Sequence, residues 1–368
     1  MKSLLLLLAL TLTTHVFSND GAYFASGNQL IPIEESDIEI SKEVLTIKRV
    51  GDYLHVTVDY TFTNNGDAKD VLVGFEAKSP SGDVDGTPID GKHPYMSDFA
   101  VNVNGALLPY EVSMVNTEDY FVQNEMAALT VEEALPENYN VNYVNFYYVY
   151  HFNVHFEPGV NSILHTYRYR ISGSVEMDFE FDYILTAANR WANKQIDDFT
   201  LILDLGSYTE YYVSKNFFSD YKNWENGHFM DGDNLPYMYD DKTPMYVLTR
   251  EKIPTFRQKD FHPEGELRVY RNRPHYVLMA ESFDAEELTL PYNFDHVKHL
   301  ETTTDEFSYK VLRNYVYARR GYVFKTEAIQ KYYEKTSWYH PNPDYVAKPE
   351  TLSEEEQLWL KKLKENHN

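Results

Sequence analysis

The 368-residue chain has no cysteine, which excludes disulfides, thiol nucleophiles and cysteine-ligated metals. Its fold must therefore be held by its core, and the length suffices for that. Positive charge is also scarce, with 33 Lys and Arg against 57 Asp and Glu, a net charge of −24. Such a chain repels phosphate backbones, which argues against a nucleic-acid partner. The same charge weakens the case for anionic lipid or polyanionic wall polymers as ligands of its acidic part. Long apolar runs are missing except for Leu4 to Thr14, which is too short to span a bilayer. That run follows the basic Met1-Lys2-Ser3 and precedes Val16-Phe17-Ser18, which reads as a tolerable cleavage site. Residues 1–18 thus read as a signal peptide, leaving an exported chain without a transmembrane span, periplasmic or extracellular. No cysteine follows the run to carry a lipid anchor.

Hydrolase motifs are equally sparse. There is no G-x-S-x-G elbow. Carboxylate pairs suited to glycoside hydrolysis are available in any acidic chain, and nothing selects one pair. An envelope-acting hydrolase using carboxylates of the acidic body is therefore the alternative reading, and the chain is more readily read as not an enzyme.

What the sequence does contain is alternation. Leu54, Val56, Val58, Tyr60 and Phe62 form one face of a strand, with His55, Thr57, Asp59, Thr61 and Thr63 on the other. Asn65-Gly66 and Asn104-Gly105 read as hairpin turns, the first leading into Val71, Val73 and Phe75. Ile163 to Ile171 and Val175 to Tyr183 alternate around Ser172-Gly173-Ser174. A hairpin there would set Arg170 opposite Glu176 and Arg168 opposite Asp178. Phe199, Leu201, Leu203 and Leu205 make another strand, and Tyr246–Leu248 with Leu267–Leu278 a further pair, interrupted at Pro274. Part of Glu118–Leu135 has helical spacing. The expected architecture is mostly β with a small α module: an antiparallel β-sandwich-like body over residues 19–300, then a compact helical domain over 303–368.

The helical part begins with Phe307, Val311, Leu312, Tyr315 and Val316 on one helical stripe behind an N-capping Asp305. Arg319 and Arg320 fall in the last turn, and Gly321 occupies a left-handed C-terminal cap. A second short helix carries Ala328, Ile329, Tyr332 and Tyr333. Pro341 and Pro343 bar its continuation, and Ser353 to Glu356 spells a capping box for a last helix. From Thr303 onward eleven Lys and Arg meet ten Asp and Glu, so the negative charge belongs to the body.

Tyr317-Ala318-Arg319, Gly321, Phe324 and Trp338-Tyr339 resemble the YARHG family of exported bacterial proteins, over roughly 307–365. Arg320 stands where the family pattern has His. The resemblance implies an envelope-facing module and brings no catalytic residues. The body, through Ile38–Phe75 and Asp182-Tyr183-Ile184-Leu185 to Phe199, resembles an uncharacterised exported β-domain family.

Candidate binding residues follow from that module. Arg313, Tyr317, Arg319, Arg320, Tyr322, Trp338 and Tyr339 offer an aromatic and cationic set suited to stacking and cation–π contacts with wall glycan, peptide or a partner protein. The competing reading is that a small domain needs those aromatics for its own core. No cofactor is expected. Calcium is the one metal worth considering, at Asp83, Asp85 and Asp90 or in the second Asp-rich loop at Asp231, Asp233, Asp240 and Asp241, although turn chemistry explains Asp-Gly pairs as well. The acid row Glu176, Asp178, Glu180 and Asp182 reads as a solvated, partly paired strand face. His151 and His155, about 13 Å apart along a strand, are too far apart to share a zinc ion.

Overall fold

The computed structural model describes residues 22–23, 27–28, 30–33, 37–82, 84–116, 120–123, 125–136, 145–232 and 243–367. The leader segment, Asp83, Asp233, Asp240 and Asp241 lie outside them.

The long strands are β1 (Ile38–Val50), β2 (Tyr53–Asn64), β3 (Lys69–Lys78), β4 (Met96–Val103), β5 (Tyr147–Phe156) and β6 (Gly159–Arg170). They continue with β7 (Met177–Ile184), β8 (Ile196–Asp204), β9 (Glu210–Val213), β10 (Met245–Leu248), β11 (Thr255–Phe261) and β12 (Leu267–Asn272). Helices α1 (Glu306–Ala318), α2 (Glu327–Glu334) and α3 (Glu354–His367) follow. The chain is thus mostly β, with its longer helices gathered in the C-terminal region.

An eight-stranded sheet runs β11–β8–β1–β2–β6–β4 between the short edge strands Trp224–Glu225 and Ala106–Leu107. Its β2 buries Leu54, Val56, Val58, Tyr60 and Phe62 and turns the polar alternates outward, so it offers one apolar face. The smaller sheets cover that face. The four-stranded sheet holds β5 and β3 between Glu111–Val115 and Ile31–Pro32. It sets Phe75 against Tyr167 at 4.8 Å and Phe156 against Phe62 at 5.6 Å. The six-stranded sheet runs β10–β9–β12–β7 between His228–Asp231 and Gly27–Asn28. Seven strand tyrosines, among them Tyr60, Tyr150 and Tyr183, are fully buried between these layers.

Two turns work differently from their sequence reading. Asn104-Gly105 does close a hairpin, pairing Val103 with Ala106. Asn65-Gly66 does not: β2 pairs with β1 and β6, while β3 pairs with β5 and Ile31–Pro32. Ser172-Gly173-Ser174 likewise carries the chain from one sheet to another. Arg168 lies opposite His55 and Ser97, because both edges of β6 are taken by β2 and β4. Strand β7 pairs with β12 instead. The hairpin register is therefore overturned. Alternation specifies which face a residue occupies but leaves the partner strand open, and the acid row finds its arginines on β12 rather than on β6.

Other expectations shift in smaller ways. Among the described residues of 118–135, helix is confined to Val131–Ala134, where Thr130 and Glu133 form a capping box. Met245–Leu248 and Leu267–Asn272 are both strands, but β9 lies between them, and Pro274 begins a helical turn, His275–Leu278.

A second core forms around the helices. It joins Tyr315, Val316, Tyr333, Trp338 and Trp359 to Leu290, Tyr292, Phe294, Val297 and Leu300, and reaches Tyr246 and Leu248 of β10. The segment before the helices is thus part of the helical packing. Trp338 Nε1 donates to Leu290 O at 2.7 Å, Tyr315 Oη to Tyr292 O at 2.9 Å, and Trp359 Nε1 to Leu300 O at 3.1 Å. Each aromatic ring is buried while its polar tip satisfies a backbone carbonyl.

Candidate site at the junction of sheets and helices

Where α1 ends, its C-terminus folds as the sequence implies. Gly321 has φ +85°. Gly321 N donates to Ala318 O at 2.8 Å and Tyr322 N to Tyr317 O at 3.1 Å, the paired bonds of a Schellman cap. At the helix start, Asp305 accepts from Ser308 N at 2.8 Å. The cap directs Arg319 and Arg320 inward, where both are buried.

Glu356 receives both of them. Arg319 Nη1 donates to Oε1 at 2.8 Å, and Arg320 donates through Nη1 to Oε1 at 3.0 Å and through Nη2 to Oε2 at 2.8 Å. The same carboxylate closes the capping box of α3, accepting from Ser353 N at 3.0 Å while Glu356 N donates to Ser353 Oγ at 3.1 Å. Burial favours a neutral Glu356, but Arg320 and then Arg319 outweigh it and hold the carboxyl below its ordinary value. Arg319 also ties the helices to the body, donating from Nε to Tyr292 O at 2.7 Å and from Nη2 to Tyr208 O at 2.5 Å. The Arg320 guanidinium lies 4.4 Å from the centre of the Tyr208 ring.

This cluster forms one wall of a cavity of about 660 Å³ between sheets and helices. The other wall comes from the body: Arg49 at the end of β1, the Gly206–Thr209 loop and Arg271 of β12. Asn293, Phe294 and Asp295 line it from the connecting segment. The side chains Arg49 and Arg271 each lie 4.9 Å from the centre of the Phe179 ring. Arg271 also donates to Thr209 Oγ1 at 2.9 Å and to Asp178 Oδ2 at 3.0 Å. Asp178 is shared with Arg273 at 3.4 Å and with His296 Nε2. Burial opposes its charge, yet His296 and the arginines keep its carboxyl below the ordinary range. Tyr208 has φ +52° and faces this cavity, a backbone region that a bulky residue occupies only under constraint.

The sequence-selected residues divide in two. Arg319, Arg320, Trp338 and Tyr339 are buried, Tyr317 and Tyr322 are half-buried, and Arg313 is exposed. Arg319 and Arg320 line the cavity; the other five do not. The Arg313 guanidinium lies 5.6 Å from the centre of the Tyr309 ring. Sequence reasoning missed Arg49, Arg271, Asn293 and Tyr208, which come from four separated stretches. Only the positive charge of the two arginines, in an acidic body, hinted at them.

Among the described residues no cluster of His, Asp and Glu converges as a metal site. Asp85 is exposed and accepts from Thr87 N at 2.9 Å, while Asp90 occupies a turn at φ +52°. Asp231 is bonded by Lys215 and by Tyr221 Oη. His151 accepts or donates at Ser113 Oγ, 3.0 Å away, and His155 is at 2.8 Å from Asp70.

Residues 295–368 match the YARHG domain, so the C-terminal part of this chain carries that domain. The match begins ahead of α1, within the connecting segment that packs into the helical core. No curated protein matches the sequence. A solved structure from Legionella pneumophila, described as a "putative nutrient binding protein", is 18% identical, with a TM-score of 0.47 over 95% of this chain and 100% of that one. At that score the likeness establishes neither a shared fold nor a shared ligand. No helix among the described residues is long and apolar enough to cross a membrane.

Proposed function

We propose that this is an exported, non-catalytic binding protein of the cell envelope, periplasmic or extracellular, organised as a β body to about residue 300 and a helical YARHG unit from 303. It recognises wall glycan, peptide or a partner protein through the side of the molecule where the helical unit meets the body. The observation that carries this reading is the junction cavity, large enough for a small ligand or a projecting chain. Arg319 and Arg320 give that cavity its helical wall, and Tyr317, Tyr322 and Arg313 supply the more accessible surface of the same unit. The leader-like residues 1–18 support export.

The chemistry of the cavity favours binding over turnover. Its buried carboxylate Glu356 is fixed between two guanidiniums, and the nearby Asp178 is fixed by two arginines and a histidine. Both carboxyls are pulled below their ordinary values. A general acid for glycoside cleavage needs the opposite shift.

The test is co-sedimentation of the whole mature chain with peptidoglycan sacculi, together with a pull-down from envelope extract, with supernatants assayed for released fragments. Retention without release supports recognition. Release of soluble product that disappears with a carboxylate substitution would establish the hydrolase instead. Retention by neither material removes the binding reading. The whole chain is required, because the helical core is completed by residues 290–300 and by β10.

A further inference from the structure

Most cations at the junction are already neutralised. Arg319 and Arg320 share Glu356, and Arg271 and Arg273 share Asp178. Of the other acids around Arg49, Asp295 is held by Lys298 at 2.9 Å. Asp52 lines a second cavity of about 430 Å³ that Arg49 also borders. Arg49 itself has no ion-pair partner among the described residues. Its Nε donates to Gly51 O at 3.2 Å, and its two terminal nitrogens have no protein acceptor there. Burial, followed by the charge of Arg271, pulls Arg49 below its ordinary value, as expected when two cations are incompletely neutralised.

A second polar group points the same way. Asn293 is only 5% exposed and lines the cavity. Its Oδ1 accepts from Asp295 N at 3.2 Å, but its Nδ2 has no partner among the described residues. A buried amide donor without an acceptor carries a desolvation cost that a ligand oxygen would remove. Beside the strained Tyr208, the hydroxyls of Ser207 and Thr209 also line the cavity.

We propose that this cavity binds a small oxyanion ligand, a carboxylate or phosphate group, through the free fork of Arg49 and the amide of Asn293, with Arg271 supplying further positive field. The inference rests on the binding reading above and specifies the ligand chemistry. A guanidinium fork matches either oxyanion in bidentate fashion, and pairing inside a cavity is stronger than at an exposed surface.

The experiment is calorimetric titration of the whole mature protein with inorganic phosphate and, separately, with succinate, at constant ionic strength against a chloride control. Melting is followed in parallel. Saturable heat and a raised melting temperature are expected with at least one anion, and the two arms distinguish phosphate from carboxylate. Arg49→Gln and the near-isosteric Asn293→Asp should each weaken binding at least about tenfold. Arg49→Gln should keep its ligand-free melting temperature, since Arg49 is half-exposed and unpaired. Absence of saturable heat with both anions overturns the proposal, as does heat matched by chloride or undiminished in Arg49→Gln. Envelope retention by the wild-type chain without saturable heat from either anion would sink this inference alone. Loss of retention with anion binding intact would sink only the envelope reading.

Discussion

Arg320 and Glu356, separated by 36 residues, meet as a buried bidentate pair at 3.0 and 2.8 Å. The carboxylate simultaneously caps α3, so one side chain closes a helix and neutralises two cations. Removing it leaves two guanidiniums buried without a counter-charge. Glu356→Ala should therefore cost about 3–5 kcal/mol, whereas Ser353→Ala should cost only about 1 kcal/mol. Urea unfolding of both variants measures the difference, and equal costs would mean that the cap, not the charge, dominates.

Acid should weaken the fold in a defined window. His165 is fully buried against Phe75 and Phe99, and burial pushes its imidazole down to about 3. His93 is pushed to about 4 for the same reason. Above the ordinary value of 6.5 neither state binds these protons. Below it the unfolded chain takes them up and the folded one does not, so stability falls until the folded values are reached. Each histidine contributes a loss on the order of 3 kcal/mol between pH 6.5 and 4. Glu356 adds a further loss only below its ordinary value of 4.5. Stability measured from pH 7.5 to 4 should drop in that window, and His165→Phe should flatten the slope.

Gly321 is a position where a side chain has no room. Its φ is +85°, and a Cβ would approach His340 O to 2.6 Å and Arg250 Nη2 to 2.8 Å. Gly321→Ala should destabilise by more than about 1 kcal/mol, combining backbone strain with that close approach. A melting temperature equal to wild type would show that the cap relaxes freely.

The strand partners can be tested by coupling. Asp178 bonds Arg271 at 3.0 Å, whereas Arg168 lies on another sheet and bonds Ser97 Oγ at 2.8 Å. A double-mutant cycle on Asp178→Asn and Arg271→Met should give a coupling above about 1 kcal/mol. The same cycle with Arg168→Met should give less than about 0.5 kcal/mol. The reverse order would restore the hairpin read from the sequence.

Local signals were legible wherever they acted within a few residues. The Asp305 cap, the Gly321 turn, the Ser353–Glu356 box and the buried faces of β2 and β8 were all readable from spacing. Partner choice was not. Ser172-Gly173-Ser174 has the composition of a hairpin loop, yet β6 already has neighbours on both edges. The cavity was hidden for the same reason. Arg49, Tyr208, Arg271 and Asn293 are brought together by pairing and packing across distant stretches, which no periodicity encodes. The two arginines that sequence did single out, Arg319 and Arg320, belong to it because the helix stop turns them inward.

The placement of β1 has a kinetic consequence. One edge pairs at once with β2, but the other pairs in parallel with β8, Ile40 opposite Ile196. A chain growing from its first residue must therefore keep a thirteen-residue strand with an open edge until β8 exists. During that interval the edge is a template for the wrong strand or another molecule. Assembly should be slow, and vulnerable to aggregation until β8 docks.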